Sequence, residues 1–564
     1  MAATDAPTHD RPWRRPGALR YALNRVQRMI RPPVEVFSPA PGSVVVHHDV
    51  AVTTRDGTVL RVNVYLPPDD GEYPVVLCAH PYGKDNHPKK RKRLPGHSIP
   101  FQYRALRQPT AVRFSALTGW EAPDPAWWTA QGFAVVNCDL RGAGHSDGVG
   151  SVLSDQEGED VYDLIEWAAA QPWSTGAVGM LGVSYLAISQ WKAAALRPPH
   201  LRAIVPWEGF TDAYRDLMRP GGIQEEGFVR LWSRELRNIR LTYQVGEENA
   251  KHPLRDEFWR SLVPDLERIE VPALICGSFS DNNLHSRGSV RAFENISSPT
   301  RHLYTHRAGK WATFYSEEAL RTQLDFLDRH LRGGEGDATP ARVRLEVRES
   351  RDEVVEVRSE AGWPLERTTW TPLYLTDDGL RAEAAPADGS MSFDTRSSGL
   401  RFGWTVPRDV ELTGPMALRL FVSADSADDV DLFVGVEKWR DDTYVPFEGS
   451  YGFGRDRVTT GWMRASMRGV DEERSRPFAP VHPFTERQPL RPGEIVGVDI
   501  GLGPSATVFR RGEQLRLVIA GRWLWPRNPL TGQFPGAYER RSRGTATMHW
   551  GPDRQARLLV PVID

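Results

Sequence analysis

Gly179-Met180-Leu181-Gly182-Val183-Ser184-Tyr185-Leu186-Ala187 is the stretch on which the reading of this chain turns. A short apolar run, residues 178–182, leads to a serine, and an alanine-rich helical pattern, residues 186–196, follows. A sharp strand-to-helix turn crowds its own neighbours, so small residues are needed around such a serine, and the turn lifts the hydroxyl above the sheet. Gly182 meets that need two residues before Ser184. Leu186 stands where a second glycine is common, and Ala187, one position later, supplies the small contact. Taken alone, these residues also suit a serine that merely caps a helix.

Working outward, short apolar runs recur at 74–79, 134–139, 203–206, 273–277 and 301–305. Helical patterns fall between several of them, as at 157–170, and another follows the last at 317–331. Near-continuous apolar strands separated by helices predict a parallel sheet covered on both faces. Residues 44–54 and 58–65 flank Asp56-Gly57, a hairpin signal. Residues 210–270 break the rhythm with many charges and few strand-like runs, and read as a mostly helical insertion over one end of the sheet. After Gly333-Gly334-Glu335-Gly336 the runs at 343–347, 370–375, 418–422, 431–436, 514–519 and 557–562 are bounded by Gly, Pro, Asp and Ser. That pattern predicts an antiparallel β-sandwich of roughly 200 residues. At the start, residues 18–30 form an amphipathic helical pattern with Arg20, Arg25 and Arg28 among apolar residues, stopped by Pro32-Pro33. It is read as an arm docked on its own protein, with a basic helix for a membrane or partner as the alternative.

The 564 residues are too many for one ordinary domain. Hydrophobic residues make up 40% and charged residues 26%, enough to build sizeable cores. The 71 basic and 73 acidic side chains nearly cancel, which argues against a nucleic-acid binder. Cys78, Cys138 and Cys276 lie far apart in strand-like runs, with neither disulfide nor zinc spacing. No run of roughly 18 apolar residues is present, so no membrane span is expected, and no apolar leader is visible. A cytoplasmic protein without metal or organic cofactor is the expectation, with oligomeric state, including a homo-oligomer, left open.

A serine hydroxyl needs a neighbouring base, and the base an orienting group. In a sheet of this kind the order Ser, acid, His at successive strand ends satisfies that need. The run 273–277 leads into Ser278-Phe279-Ser280-Asp281, and 301–305 leads into His306. Ser184, Asp281 and His306 are therefore the expected triad, with His285 the rival base, close in sequence to Asp281. His302 sits at the wrong end of its strand, and His330 falls in the next helix. An oxyanion needs donors. The Tyr185 amide is one, and the loop His80-Pro81-Tyr82-Gly83-Lys84 offers the Tyr82 hydroxyl as another.

Together Pro81-Tyr82-Gly83-Lys84, Asp139-Leu140-Arg141-Gly142-Ala143-Gly144-His145-Ser146-Asp147-Gly148, residues 173–179, Gly182–Ala187, Ser280-Asp281 and Thr305-His306 resemble the cocaine esterase/X-Pro dipeptidyl peptidase family of serine hydrolases. That family includes α-amino acid ester hydrolases and glutaryl-cephalosporin acylases. The resemblance runs from about Val44 to the C-terminus. It implies an α/β-hydrolase core (44–209 and 267–336), an inserted helical cap (210–266) and a jelly-roll-like C-terminal β-sandwich (337–564), behind an N-terminal arm (1–43). It implies Ser184 as nucleophile, Asp281 as acid, His306 as base, and Tyr82 with the Tyr185 amide as oxyanion donors. This chain departs from the family in three places. Ala187 replaces a glycine. Gly277-Ser278-Phe279-Ser280 replaces the usual Gly-Trp-Tyr before the acid, and Leu303-Tyr304-Thr305 replaces Gly-Pro-Trp before the histidine.

Trp120, Trp207, Phe210 and Trp311 are candidates to line an apolar substrate pocket. Trp127 and Trp128 lie on the same kind of loop. Glu208 and Asp212 are candidates for a cationic substrate group. The segment 139–148 reads as a structural loop whose glycines permit positive φ, not as a phosphate loop. Asp85 with Lys89-Lys90-Arg91-Lys92-Arg93 reads as solvated loop, with an anion site as the alternative. The expected activity is hydrolysis of a small-molecule ester. An amide acylase, an X-Pro dipeptidyl peptidase, an acyltransferase and a non-catalytic ligand-binding protein are the alternatives.

Overall fold

The computed structural model describes residues 5–92, 96–105, 110–334, 341–449, 454–533 and 535–564. In chain order the first half carries β1 (Thr8–Asp10), α1 (Ala18–Ile30), β2 (Val34–Phe37), β3 (Val45–Thr53), β4 (Val59–Leu66), β5 (Tyr73–His80), α2 (Phe101–Ala105), β6 (Val112–Ser115), α3 (Pro125–Ala130) and β7 (Ala134–Asp139). Then come α4 (Asp155–Ala169), β8 (Ser174–Val183), α5 (Tyr185–Ala195), β9 (Leu201–Trp207) and three short helices, α6 (Phe228–Leu236), α7 (Val245–Lys251) and α8 (Glu257–Ser261). The core resumes with β10 (Ala273–Ser278), α9 (Ser286–Asn295), β11 (Arg301–His306), α10 (Lys310–Phe314), α11 (Glu317–Arg332) and β12 (Val343–Arg348).

The strands lie in the order β3-β4-β7-β5-β8-β9-β10-β11-β12. The β3–β4 and β4–β7 pairs are antiparallel, and the later pairs are parallel. The apolar runs are continuous because both faces are covered. Alternate residues feed two cores. Val75, Leu77 and Met180 join Leu164 and Ile165 of α4 and Leu186 of α5. Val76, Leu181 and Val183 join Trp128 of α3 and Phe326 and Leu327 of α11. Ser154 caps α4 by accepting the Glu157 N–H at 3.3 Å, with Asp155 and Glu157 in the first turn.

The strand at 343–347, read as the first of the sandwich, is instead β12, parallel to β11 through Leu303↔Val343. Its far end, Arg348, meets Thr507 of the C-terminal unit, so the core sheet runs on into that unit. There Val410–Ala424 pairs antiparallel with Val496–Phe509 and Arg557–Ile563. A second layer pairs Gln514–Ala520 with Gly399–Thr405 and Asp431–Arg440.

The arm docks on its own protein: β1 pairs with Gly399–Thr405, and the Tyr21 hydroxyl of α1 donates to the Gly532 carbonyl at 3.2 Å. In the 139–148 loop, Gly142, Gly144 and Gly148 all have positive φ. A Cβ on Gly144 would run into the Asp139 carboxylate, which accepts the His145 N–H at 3.1 Å. Lys84 is buried and paired with Asp49 and Asp85, at 2.6 and 2.5 Å. Lys89–Lys92 are exposed; Arg93 lies outside the described residues. Among the described residues no helix is long and apolar enough to cross a membrane.

Candidate active site

Four parallel strands deliver polar residues to one edge of the sheet: Ser184 after β8, Glu208 after β9, Asp281 after β10 and His306 at the end of β11. Carboxyl ends of strands in an open α/β sheet are where such sites form.

Ser184 occupies φ 58°, ψ −114°, a backbone region that a serine rarely adopts. Its N–H donates to the Trp207 carbonyl at 3.0 Å, and its carbonyl accepts from Ala187 and Ile188 at 3.0 and 2.9 Å. The turn is thus pinned on both sides. Leu186 packs where any Cβ on residue 182 would go, which explains Gly182. Ala187 packs closely against Gly209, which explains the small residue there.

The imidazole that reaches Ser184 belongs to His285. Its Nε2 lies 2.9 Å from Ser184 Oγ. His306, the expected base, is engaged elsewhere. Its Nδ1 accepts the Ala308 N–H at 3.2 Å, so Nε2 carries the proton and donates to Glu208 Oε1 at 3.0 Å. Glu208 also accepts the Ser278 hydroxyl at 2.8 Å. Burial alone would raise this carboxyl, but His306 and Lys310 hold it below its ordinary range. Glu208 therefore ties β9 to β11 through His306.

Asp281 lies near both the rival base and an unforeseen cation. Its Oδ2 is 2.6 Å from Lys310 Nζ and 4.0 Å from His285 Nε2. Lys310 opens α10 and is buried. Burial would lower its pKa, yet Asp281, Glu208 and Glu121 outweigh that, and the ammonium is held above its ordinary range. Burial, then the charge of Lys310, pushes His285 well below the ordinary histidine range. His285 is thus held as the neutral imidazole, the form a base requires. Its Nδ1 has no hydrogen-bond partner among the described residues.

His285 precedes α9, and the segment around it is braced by the C-terminal unit. Asn283 donates to Gln533 Oε1 at 2.9 Å. Arg287 donates to the Thr460 carbonyl at 2.9 Å and lies over the Trp462 ring.

The Tyr185 N–H is the first amide of α5, a donor that a helix leaves without an internal acceptor. The Tyr185 hydroxyl is occupied, donating to Glu157 Oε2 at 2.6 Å. Burial pushes Glu157 up to about 7. The Tyr82 ring stands edge-on to Tyr185 with centroids 6.0 Å apart. Burial, then the charge of Glu121, holds the Tyr82 phenol well above its ordinary pKa, so it is a proton donor at neutral pH.

The aromatic candidates divide. Phe210 lies against the His285 ring, centroids 5.9 Å apart. Trp120 and Trp311 pack together at 4.9 Å, and the Trp311 N–H donates to Glu121 Oε1 at 3.0 Å. Trp207 is not a lining residue: it is fully buried among Tyr304, Phe314 and His306. Asp212 is paired with Arg215 and Arg255, at 3.1 and 2.9 Å.

Glu121 and Lys310 escaped the sequence reading. Glu121 lies on an irregular loop with φ 61°, and its carbonyl accepts the Val183 N–H at 3.2 Å. Burial pushes its carboxyl up to about 8. The only hint of Lys310 was its neighbour Trp311. Glu208, Cys276 and His306 lie close enough to share a cation, but Glu208 and His306 already satisfy each other.

Residues 56–244 match the model for the X-Pro dipeptidyl-peptidase (S15 family), and 336–559 match that for the X-Pro dipeptidyl-peptidase C-terminal non-catalytic domain. A solved CocE/NonD family hydrolase from Staphylococcus aureus is 34% identical, with a TM-score of 0.87 over 92% of this chain and 94% of that one. The chain belongs to the CocE/NonD family of hydrolases. Cocaine esterase from Rhodococcus sp. (strain MB1 Bresler) is 26% identical over 93% of this chain and 99% of its own length. An α-amino acid ester hydrolase, 17% identical with a TM-score of 0.69, shares the fold. As a member of the CocE/NonD family the protein is a serine hydrolase, with an α/β-hydrolase core and a C-terminal β-sandwich.

Proposed function

We propose that the enzyme hydrolyses esters of small carboxylic acids through an acyl-enzyme on Ser184, with His285 as its base. The observation that carries this reading is the 2.9 Å contact between Ser184 Oγ and a neutral imidazole nitrogen at a pinned, strained turn. His285 Nε2 takes the serine proton as Oγ attacks the carbonyl carbon, then returns it to the leaving alcohol. A water molecule, deprotonated by the same nitrogen, releases the acid. The Tyr185 amide and the Tyr82 hydroxyl are the donors for the oxyanion. Asp281 offsets the charge of the imidazolium that forms, and Lys310 holds Asp281 in place.

An ester is favoured over a dipeptide. A dipeptidyl peptidase must hold a substrate ammonium, and the acids nearest Lys310 are already engaged: Asp281 by Lys310, Glu208 by His306, Glu121 by Trp311. The unpaired, buried cysteines suit a reducing compartment, and we place the enzyme in the cytoplasm. The test compares p-nitrophenyl acetate and butyrate with Ala-Pro-p-nitroanilide, alongside fluorophosphonate labelling of Ser184. Labelling with ester turnover supports the reading. Preference for the anilide reverses the substrate order, and a folded protein that takes no label excludes the nucleophile.

A further inference from the structure

A second site lies far along the chain from this chemistry, where the N-terminal arm crosses the C-terminal unit. A cavity of about 1110 Å³ opens there, lined by Arg11, Arg14, Arg15, Arg20, Arg401 and Arg457. Two acids join them, and both are taken: Asp10 pairs with Arg401, and Glu437 with Arg457 at 3.0 Å. The remaining lining is strongly cationic.

Arg15 is the telling residue. It is 3% exposed. Its guanidinium is sandwiched between the rings of Tyr21 and Trp525, 4.0 and 4.2 Å from their centroids. One nitrogen, Nη2, reaches the Gly532 carbonyl at 3.5 Å, while Nε and Nη1 have no hydrogen-bond partner. Both faces are therefore covered, and two in-plane donors are buried without an acceptor. Those donors are the ones that grip a phosphate or carboxylate two at a time. Asp456 acts on the Arg15 guanidinium by charge without an ion pair, so a ligand that supplies an anion in direct contact offsets the cost of burying it. On the other side of Trp525, Arg457 stacks at 4.2 Å, and its Nε and Nη1 are likewise unpaired.

The start of α1 opens on the same cavity through Gly17, Ala18, Leu19 and Arg20. Gly17 provides no side-chain cap, and the first turn carries no acid. The helix thus presents bare amides and its positive end to the cationic space.

We propose that this cavity binds a phosphate-bearing oxyanion. Its volume exceeds the needs of a single orthophosphate, so the ligand carries more than one anionic group or further atoms. The phosphate could belong to a soluble molecule or to a lipid headgroup, because Leu19, Leu23 and Ile30 form an outward stripe on α1, 84%, 73% and 67% exposed.

The experiment titrates the full chain with inorganic tripolyphosphate by calorimetry at about 0.15 M salt, where weak surface attraction is screened. In parallel, the protein is floated with phosphatidylglycerol or phosphatidylcholine vesicles. Two variants are compared with wild type: Arg15→Gln, and Arg14→Gln/Arg20→Gln, whose exposed side chains leave the fold undisturbed. Turnover of p-nitrophenyl acetate is unchanged in both, which checks their folding. Tripolyphosphate binding that falls about tenfold or more in the variants supports a soluble ligand. Selective binding to phosphatidylglycerol, lost in the same variants and in Leu19→Glu/Leu23→Glu, supports a headgroup. Binding of wild-type strength in a folded arginine variant, or no binding to either probe, overturns the site.

Discussion

His285 and His306 offer a sharp discrimination, because both are buried imidazoles at the carboxyl edge of the same sheet and only one touches the serine. Replacing His285 by Gln keeps the volume and removes the base. General-base catalysis by a positioned histidine contributes about 10²–10⁴-fold, or about 3–5 kcal/mol at 1.36 kcal/mol per decade. The loss falls in kcat, because His285 bonds the nucleophile, not the substrate. His306→Gln acts on stability. It can retain a donor to Glu208 but forfeits the acceptor that holds the Ala308 N–H, and a weakened buried hydrogen bond to a charged group costs about 1.5–3 kcal/mol. The folded fraction of His306→Gln should turn over p-nitrophenyl butyrate within about threefold of wild type, less than 1 kcal/mol of barrier. Initial rates on both variants, with circular dichroism and urea unfolding, separate the outcomes. A folded His306→Gln that has lost turnover, beside a His285→Gln near wild-type kcat, would refute the assignment of the base.

Other consequences follow from the same charges. His285 is held well below its ordinary range by burial and Lys310, so kcat/KM should persist below pH about 6.5, the unperturbed histidine value. Lys310→Met should move that acid limb upward; a pH–rate profile that stays put counts against the coupling. Ser184→Gly should abolish turnover yet raise stability by about 1 kcal/mol, because glycine tolerates the strained turn; a lower urea midpoint would contradict the strain. Glu121 titrates at about 8 in the folded protein, above the ordinary value of about 4.3. The folded state therefore binds the extra proton, and Glu121 costs stability progressively as pH rises from near 4 through 8. Glu121→Gln keeps an acceptor for Trp311 and should raise Tm at pH 8 more than at pH 5. Equal shifts at both values would remove Glu121 as the cause.

Much of the fold was legible because its signals are local. The apolar runs that became β5, β7, β8, β10 and β11 needed no knowledge of distant contacts, and neither did the glycine before Ser184. The position of β12 was not legible, since a strand of that composition fits either sheet, and the parallel pairing with β11 is decided by packing. Which imidazole meets Ser184 was not legible for a similar reason. Strand order places His306 at the right edge, but which way an imbalance of buried charge is resolved depends on Glu208, two strands away, and on a backbone N–H two residues on. Two of the three places where this chain departs from the family pattern, ahead of Asp281 and ahead of His306, flank this arrangement.

The rearrangement is self-consistent electrostatically. A buried carboxylate beside a base ordinarily raises that base's pKa, which limits its use in acid. Here Lys310 takes the adjacent oxygen of Asp281 at 2.6 Å, while His285 stands at 4.0 Å from the same atom. Burial first, and then the charge of Lys310, keep the resting imidazole neutral. When the serine proton arrives on Nε2, the new positive charge is close to Asp281 and also to Lys310, so the pair must reorganise for the carboxylate to serve the imidazolium. Asp281→Asn should therefore impair kcat more than KM. It leaves Lys310 buried without its closest anion, and losing one partner of such a buried pair typically costs about 3–5 kcal/mol of stability. Asp281→Asn/Lys310→Met removes both charges and should recover much of that stability without recovering kcat. If the double variant regained kcat as well, Asp281 would be a structural counter-ion only, and His285 would act on Ser184 unaided.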